Sequence, residues 1–281
     1  MLAESKADTL LLGGDLTIAR HFSGTIAKIR MAFPGNVVLV AGNHDYYGSG
    51  IDDFREKLKE IDGVIAFEPG CQTEPLALGL GIYLCGSGGW GDARAGVGDA
   101  SAMALSDEIF IPDLSSRRKL TVRLQQLGCV SARHLLRQFH KIPAQAKHVL
   151  ILTHVPPWPE ATWHEGHPLT AEALPRFCWL VGGNAISRFA KTRPETRVTV
   201  LCGHTHGGGI WKHRNIVCHK AVSCYGAALH NATITVGRGL RLRRLEHVEP
   251  CRQRSCILTR WRRRKSGLKQ RNNEPGNLRR F

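Results

Sequence analysis

Short apolar runs alternate along the chain with longer stretches of helical spacing. Thr9-Leu10-Leu11-Leu12 reads as a buried strand that stops at Gly13-Gly14-Asp15. Residues 18–33 carry helical spacing, and Pro34-Gly35 ends it. Asn36-Val37-Val38-Leu39-Val40-Ala41 is a second buried strand, followed at once by Gly42-Asn43-His44-Asp45. Ile51, Phe54, Leu58 and Ile61 fall on one face of an amphipathic helix. Further strands are predicted at 80–85, 148–152 and 198–202, with helices around 132–140 and 184–192. Closing strands are predicted at 216–223, 232–236 and 239–245. Residues 86–116 are rich in Gly and Asp and lack a period, the pattern of a long functional loop. The alternation specifies an α/β domain.

Composition narrows the class. At 42% hydrophobic and 22% charged, the 281-residue chain is globular, which excludes collagen-like and disordered chains. No run approaches the roughly 18 apolar residues of a membrane helix. Met1 to Asp8 lacks a basic stretch followed by an apolar one, so no secretory signal is expected and cytoplasm is the expected compartment. The nine cysteines include no C-x-x-C pair, which argues against a zinc ribbon, a thioredoxin-like motif or a disulfide framework. Cys85, Cys202 and Cys218 sit in apolar runs and read as small buried hydrophobes.

Charge divides the chain in two. Of the net +16, residues 251–281 carry +10, with eleven Lys/Arg against Glu274 alone. These residues also lose hydrophobic periodicity, so the expected organisation is a domain over 1–250 and a basic, disordered tail over 251–281. Such a tail attracts nucleic acid or another polyanion by counterion release, or is a solvated extension with no specific partner. It does not name a function.

The polar residues at the strand ends do more. Asp15, Asn43-His44-Asp45, His154, and His204 with His206 each follow an apolar strand closely. In α/β sheets the ligand crevice lies beyond the carboxyl ends of strands, so these segments can meet at one edge. A carboxylate, an amide oxygen and imidazoles form a ligand set suited to Mn, Fe, Zn or Ni rather than Ca or Mg. Two such ions roughly 3.5–4 Å apart clamp a phosphoryl group and acidify a shared water. Taken singly, each cluster has a plainer reading. Asp15 could cap a helix, Asn43 could sit in a turn, and His154 or the His204/His206 pair could be exposed loop residues. The joint pattern favours metal binding.

The ordered set Gly14-Asp15, Gly42-Asn43-His44-Asp45, His154 and Gly203-His204-Thr205-His206 resembles the calcineurin-like metallophosphoesterase superfamily over roughly residues 8–245. The resemblance implies a four-layer α/β/β/α sandwich with two mixed sheets and a dinuclear metal site at the strand ends. It implies that Asp15 bridges both metals, that Asn43, His154 and His204 complete the second metal's shell, and that His206 binds the first. His44 would contact the phosphate and act as general acid, with Asp45 orienting it. The implied reaction is hydrolysis of a phosphomonoester, phosphodiester or pyrophosphate by metal-activated hydroxide.

One departure matters. In the family a D-x-H strand end precedes the Gly-Asp and gives the first metal its other two protein ligands. The fourteen residues before Asp15 contain no D-x-H. Asp8 begins the strand that Asp15 follows, roughly 23 Å away at about 3.3 Å per residue, and cannot substitute. The expectation is an amino-terminally shortened member with its first strand missing, one complete metal site and weak hydrolysis. The alternative is a nearly inactive or non-catalytic member that binds nucleic acid or another polyanion through its tail.

Overall fold

The computed structural model describes residues 7–164, 166–223, 232–236 and 240–244. The expected tail at 251–281, together with Glu165, Cys224, Cys251 and Cys256, lies outside the described residues.

Three short strands open the fold: β1 (Thr9–Leu12), β2 (Asn36–Leu39) and β3 (Val64–Ala66), paired in that order and parallel throughout. Helices α1 (Phe22–Ala32) and α2 (Ile51–Lys59) connect them. Both helices bury one apolar stripe, so Phe22, Ile26, Phe54 and Leu58 pack with Leu39, Ala41 and Ala66. Alternation along β2 and the residues after it sends Val38 and Val40 to the opposite face. That strand is buried on both sides, which explains its continuous apolar run.

The second sheet has six strands: β4 (Leu76–Gly79), β5 (Ile82–Gly86), β6 (His148–Leu152), β9 (Arg197–Cys202), β10 (Gly209–His213) and β11 (Ile216–Lys220). Their order is β10-β11-β9-β6-β5-β4, with the four inner strands parallel and the two edges antiparallel. The short pair β7 (Trp163–His164) and β8 (His167–Pro168) lies between β6 and β9 in the chain, and β12 (Ala232–Val236) pairs with β13 (Leu240–Arg244) as a hairpin.

Two more helices, α4 (Leu120–Lys141) and α6 (Leu180–Thr192), cover the outer face of this sheet. Leu135, Phe139, Ile186 and Phe189 pack there against Val149, Ile151, Val198 and Val200, with the Phe139 and Phe189 rings stacked at 4.2 Å. Between the sheets, Val38, Val40, Phe67, Ile82, Leu84, Leu150 and Leu152 form a third core. Truncating one of these, such as Leu84→Ala, costs about 2–5 kcal/mol. The layering is α/β/β/α, as the resemblance implied; among the described strands the three of the small sheet are parallel and the larger sheet is mixed. Among the described strands β1 is the outer member of the small sheet, and its four residues are only half-buried.

Helix α4 is much longer than the predicted 132–140. Leu120, Leu124 and Leu127 extend its buried stripe by three turns, past Gly128, which interrupts the pattern in sequence. A Cβ at 128 would lie 2.6 Å from the Cβ of Asp92, so close packing requires that glycine. The predicted loop at 86–116 contains short helices, among them α3 (Asp107–Phe110); another, α5 (Leu174–Phe177), precedes α6. Strands β3, β4 and β10 are short or glycine-bearing and had no readable period. The six described cysteines are free thiols. Among the described residues no helix is long and apolar enough to cross a membrane.

Candidate metal centre

Four strands deliver the site. Asp15 follows β1, Asn43-His44-Asp45 follows β2, His154 follows β6, and His204 with His206 follows β9. The first two strands belong to the small sheet and the last two to the large one, so the site forms where the two sheets' carboxyl ends meet.

The approach is close. Asp15 Oδ2 lies 3.3 Å from His154 Nε2, and Asp15 Oδ1 accepts the His44 amide at 3.0 Å. A Cβ at Gly42 would stand 2.1 Å from Asp15 Oδ1 and 2.7 Å from His154 Cε1. Only glycine leaves room for that contact. Asp15, His204 and His206 themselves adopt left-handed backbone, with φ of 57°, 68° and 54°. Such strain in non-glycine residues is sparse and gathers at functional sites.

Asp45 is fully buried. Its carboxylate accepts the amides of Asp15 at 2.9 Å, Leu16 at 2.8 Å, Thr17 at 3.0 Å and Gly42 at 2.9 Å. Burial and the neighbouring Asp15 raise its pKa, against the pull of these amides toward the charged form. These bonds fasten the loop that carries Asp15. Glu68 does similar work between the sheets. Its Oε1 accepts the amides of Ala41 at 3.0 Å and Gly88 at 2.9 Å, while Gly88 O accepts the His154 amide at 3.0 Å.

His154 is oriented by its own chain neighbours. Its Nδ1 donates to Gly13 O at 2.8 Å, because a carbonyl can only accept. That leaves Nε2 facing Asp15 Oδ2 and, at 3.3 Å, Asn43 Oδ1. Burial alone would depress the imidazole, but the charge and hydrogen bond of Asp15 outweigh it and lift the pKa to about 9. The reciprocal pull of His154, with His44 and His204, overcomes burial and holds Asp15 well below the usual carboxylate range.

His204 stands edge-on to His154, with ring centroids 5.0 Å apart. Among the described residues its buried Nε2 has no hydrogen-bond partner, and burial lowers its pKa to about 3. A neutral, buried, unpartnered imidazole nitrogen is what a metal ligand requires. Ligand atoms of Asp15, His154 and His204 all lie within 4.8 Å of one another, and Asn43 Oδ1 points at the same place. The residues present therefore fit a divalent ion of the Mn, Fe, Zn or Ni type.

His206 is not among that trio among the described residues. Burial lowers its pKa against the pull of Asp15, and its ring lies 6.4 Å from that of His164. The His44 ring stacks on Tyr47 at 4.5 Å.

The calcineurin-like phosphoesterase family matches residues 1–208. The chain belongs to that family. It is a phosphate-ester hydrolase by family, and three of the residues that carried the resemblance, Asp15, His154 and His204, have ligand atoms within 4.8 Å of one another. Among solved structures it is similar to a phosphopantetheinyl hydrolase from Mycobacterium tuberculosis, at 14% identity, over 79% of this chain and 80% of that one, with a TM-score of 0.58. A Staphylococcus aureus protein described as a candidate 5'-nucleotidase also aligns, at 12% identity, over 73% of this chain and 35% of that one, with a TM-score of 0.34. The first likeness bears on fold alone and the second carries no argument. No curated protein matches the sequence.

Other polar and aromatic residues of this phosphoesterase have structural partners. Asp92 accepts the Val181 amide at 2.7 Å near the start of α6 and pairs with Arg94 at 3.7 Å. Trp158 is buried, bonds Ser187 Oγ at 3.1 Å and packs on Trp211. His21 is exposed and accepts from its neighbour Arg20. Sequence reasoning missed Glu68, Asp107 and Lys220. Lys220 is buried at the end of β11 and donates to Thr205 Oγ1 at 2.5 Å, between the two loop histidines. A charged residue ending a strand of alternating burial was its only signal.

Proposed function

We propose that this phosphoesterase hydrolyses a phosphomonoester, phosphodiester or pyrophosphate bond with a divalent cation held by Asp15, Asn43, His154 and His204. The observation that carries this reading is the convergence of Asp15, His154 and His204 within 4.8 Å around a buried, unpartnered His204 Nε2. A bound cation would supply Lewis-acid polarisation of a phosphoryl oxygen and an acidified water.

The protein's own groups do the rest. Asp15 is held ionised by the surrounding imidazoles and supplies negative charge at the centre. His44, on the loop clamped by Asp45, would give a proton to the departing oxygen. His206, on the same loop as His204, is assigned to a second ion position. The described residues bring only Asp15, His154 and His204 within 4.8 Å of one another, so we assign that second position weaker affinity and the described residues a slow rate.

The test is hydrolysis of an aryl phosphate and an aryl phosphodiester with Mn²⁺ or Ni²⁺. Wild type is expected to turn over at least one of them, and His44→Ala and Asn43→Ala are expected to fall at least tenfold. Removing residues 251–281 should leave the rate unchanged. No metal-dependent turnover, with polyanion binding abolished by that truncation, would favour the non-catalytic reading instead.

A further inference from the structure

We propose that Asp107 is a positioning residue that fixes the amide of Asn43 with its oxygen toward the cation. The inference rests on the metal reading of the site. Nothing in the sequence pattern marks Asp107, which lies in the aperiodic segment and opens α3.

An asparagine amide offers two donors on nitrogen and an acceptor on oxygen, and its partners decide which end faces which way. Asn43 is buried, and its Nδ2 donates to Asp107 Oδ1 at 2.7 Å. A carboxylate accepts only, so it can hold the nitrogen and not the oxygen. The flipped amide would set two oxygens against each other and turn nitrogen donors toward the place of a cation. With Asp107 in place, Oδ1 of Asn43 faces His154 Nε2 at 3.3 Å. Negative charge on the far side of the amide also polarises it and makes that oxygen a better ligand.

The same Asp107 oxygen accepts the Tyr47 hydroxyl at 2.7 Å, and the Tyr47 ring stacks against His44. One buried carboxylate therefore holds a cation ligand and the ring on which the proton donor rests. Its own placement is secured from both sides. Phe110 O accepts the Gly48 amide at 2.8 Å, and Glu108 pairs with Arg176 at 3.5 Å.

The experiment is an Mn²⁺ titration of the metal-stripped full chain followed by electron paramagnetic resonance. The variants are Asp107→Leu, Asn43→Ala, Asn43→Asp and the reversed pair Asn43→Asp/Asp107→Asn. Asp107→Leu is expected to weaken Mn²⁺ binding about 10–100-fold, the usual effect of losing a partner that orients a ligand. Asn43→Asp should bind poorly because two carboxylates then face each other. The reversed pair should recover to within several-fold of wild type, since an amide at 107 can donate to a carboxylate at 43. Asp107→Leu binding as tightly as wild type, or a reversed pair no better than Asn43→Asp, would overturn the proposal. If Asp107→Leu fails to fold, the reversed pair decides alone. Wild type that takes up no Mn²⁺, or Asn43→Ala binding as wild type does, would instead overturn the metal reading and this inference with it.

Discussion

Asp45 Oδ2 accepts the backbone amide of Asp15 at 2.9 Å, so a residue thirty positions later in the chain holds the central carboxylate in place. The same side chain reaches Leu16, Thr17 and Gly42, and it has no solvent contact. Asp45→Ala is expected to leave buried amides unpaired and to lower stability by about 2–5 kcal/mol. Urea unfolding measures that loss. Mn²⁺ affinity should fall in parallel even though Asp45 is not a ligand.

Gly42→Ala is a second, more local probe. Its methyl would occupy space now filled by Asp15 Oδ1 and His154. Forcing them apart is expected to destabilise the fold by about 1–3 kcal/mol and to weaken Mn²⁺ binding more than tenfold. Calorimetric titration beside thermal unfolding checks both effects. An alanine variant that binds Mn²⁺ normally would contradict the close-packed geometry.

Cation binding should also register as stability, since a ligand that binds only the folded chain shifts unfolding by mass action. At one hundred times Kd the gain is about 2.7 kcal/mol, roughly a 5–10 °C rise in Tm for a domain of this size. The rise is expected with Mn²⁺, reversed by EDTA, and absent in His204→Ala. Differential scanning calorimetry reads it directly.

Acid should weaken the fold through two histidines away from the metal centre. Burial, helped by Arg137 and Arg55, pulls the His134 pKa from 6.5 down to about 4. Burial and Arg197 do the same to His148, whose Nε2 contacts Thr199 Oγ1 at 2.8 Å. The unfolded chain takes up these protons first as pH falls through 6.5, while the native state resists until about 4. Stability is therefore full above pH 6.5 and drains away between 6.5 and 4, by on the order of 1–3 kcal/mol per residue. Urea midpoints across that range should show the decline. A flat profile would contradict it.

Much of the site was legible because of where its residues stand. Asp15, Asn43, His154 and His204 each follow a continuous apolar run, and strands buried on both faces are the easiest elements to read. The sheet edges converge, so strand ends far apart in sequence meet. Asp107 and Glu68 were invisible for a different reason. Asp107 meets Asn43 across 64 residues, and Glu68 meets Ala41 across 27, with no local period to announce either contact. Gly128 hid the first half of α4, since a glycine placed for packing looks like a helix end.

The left-handed backbone of Asp15, His204 and His206 sets the chemistry against heat resistance. Glycine at any one of them would relax the peptide by roughly 1 kcal/mol and remove the side chain that matters. Directed evolution scored on thermal survival alone would therefore welcome glycine at position 204, where the buried Nε2 has no partner to lose among the described residues, and would return a hardier protein with a poorer grip on a cation.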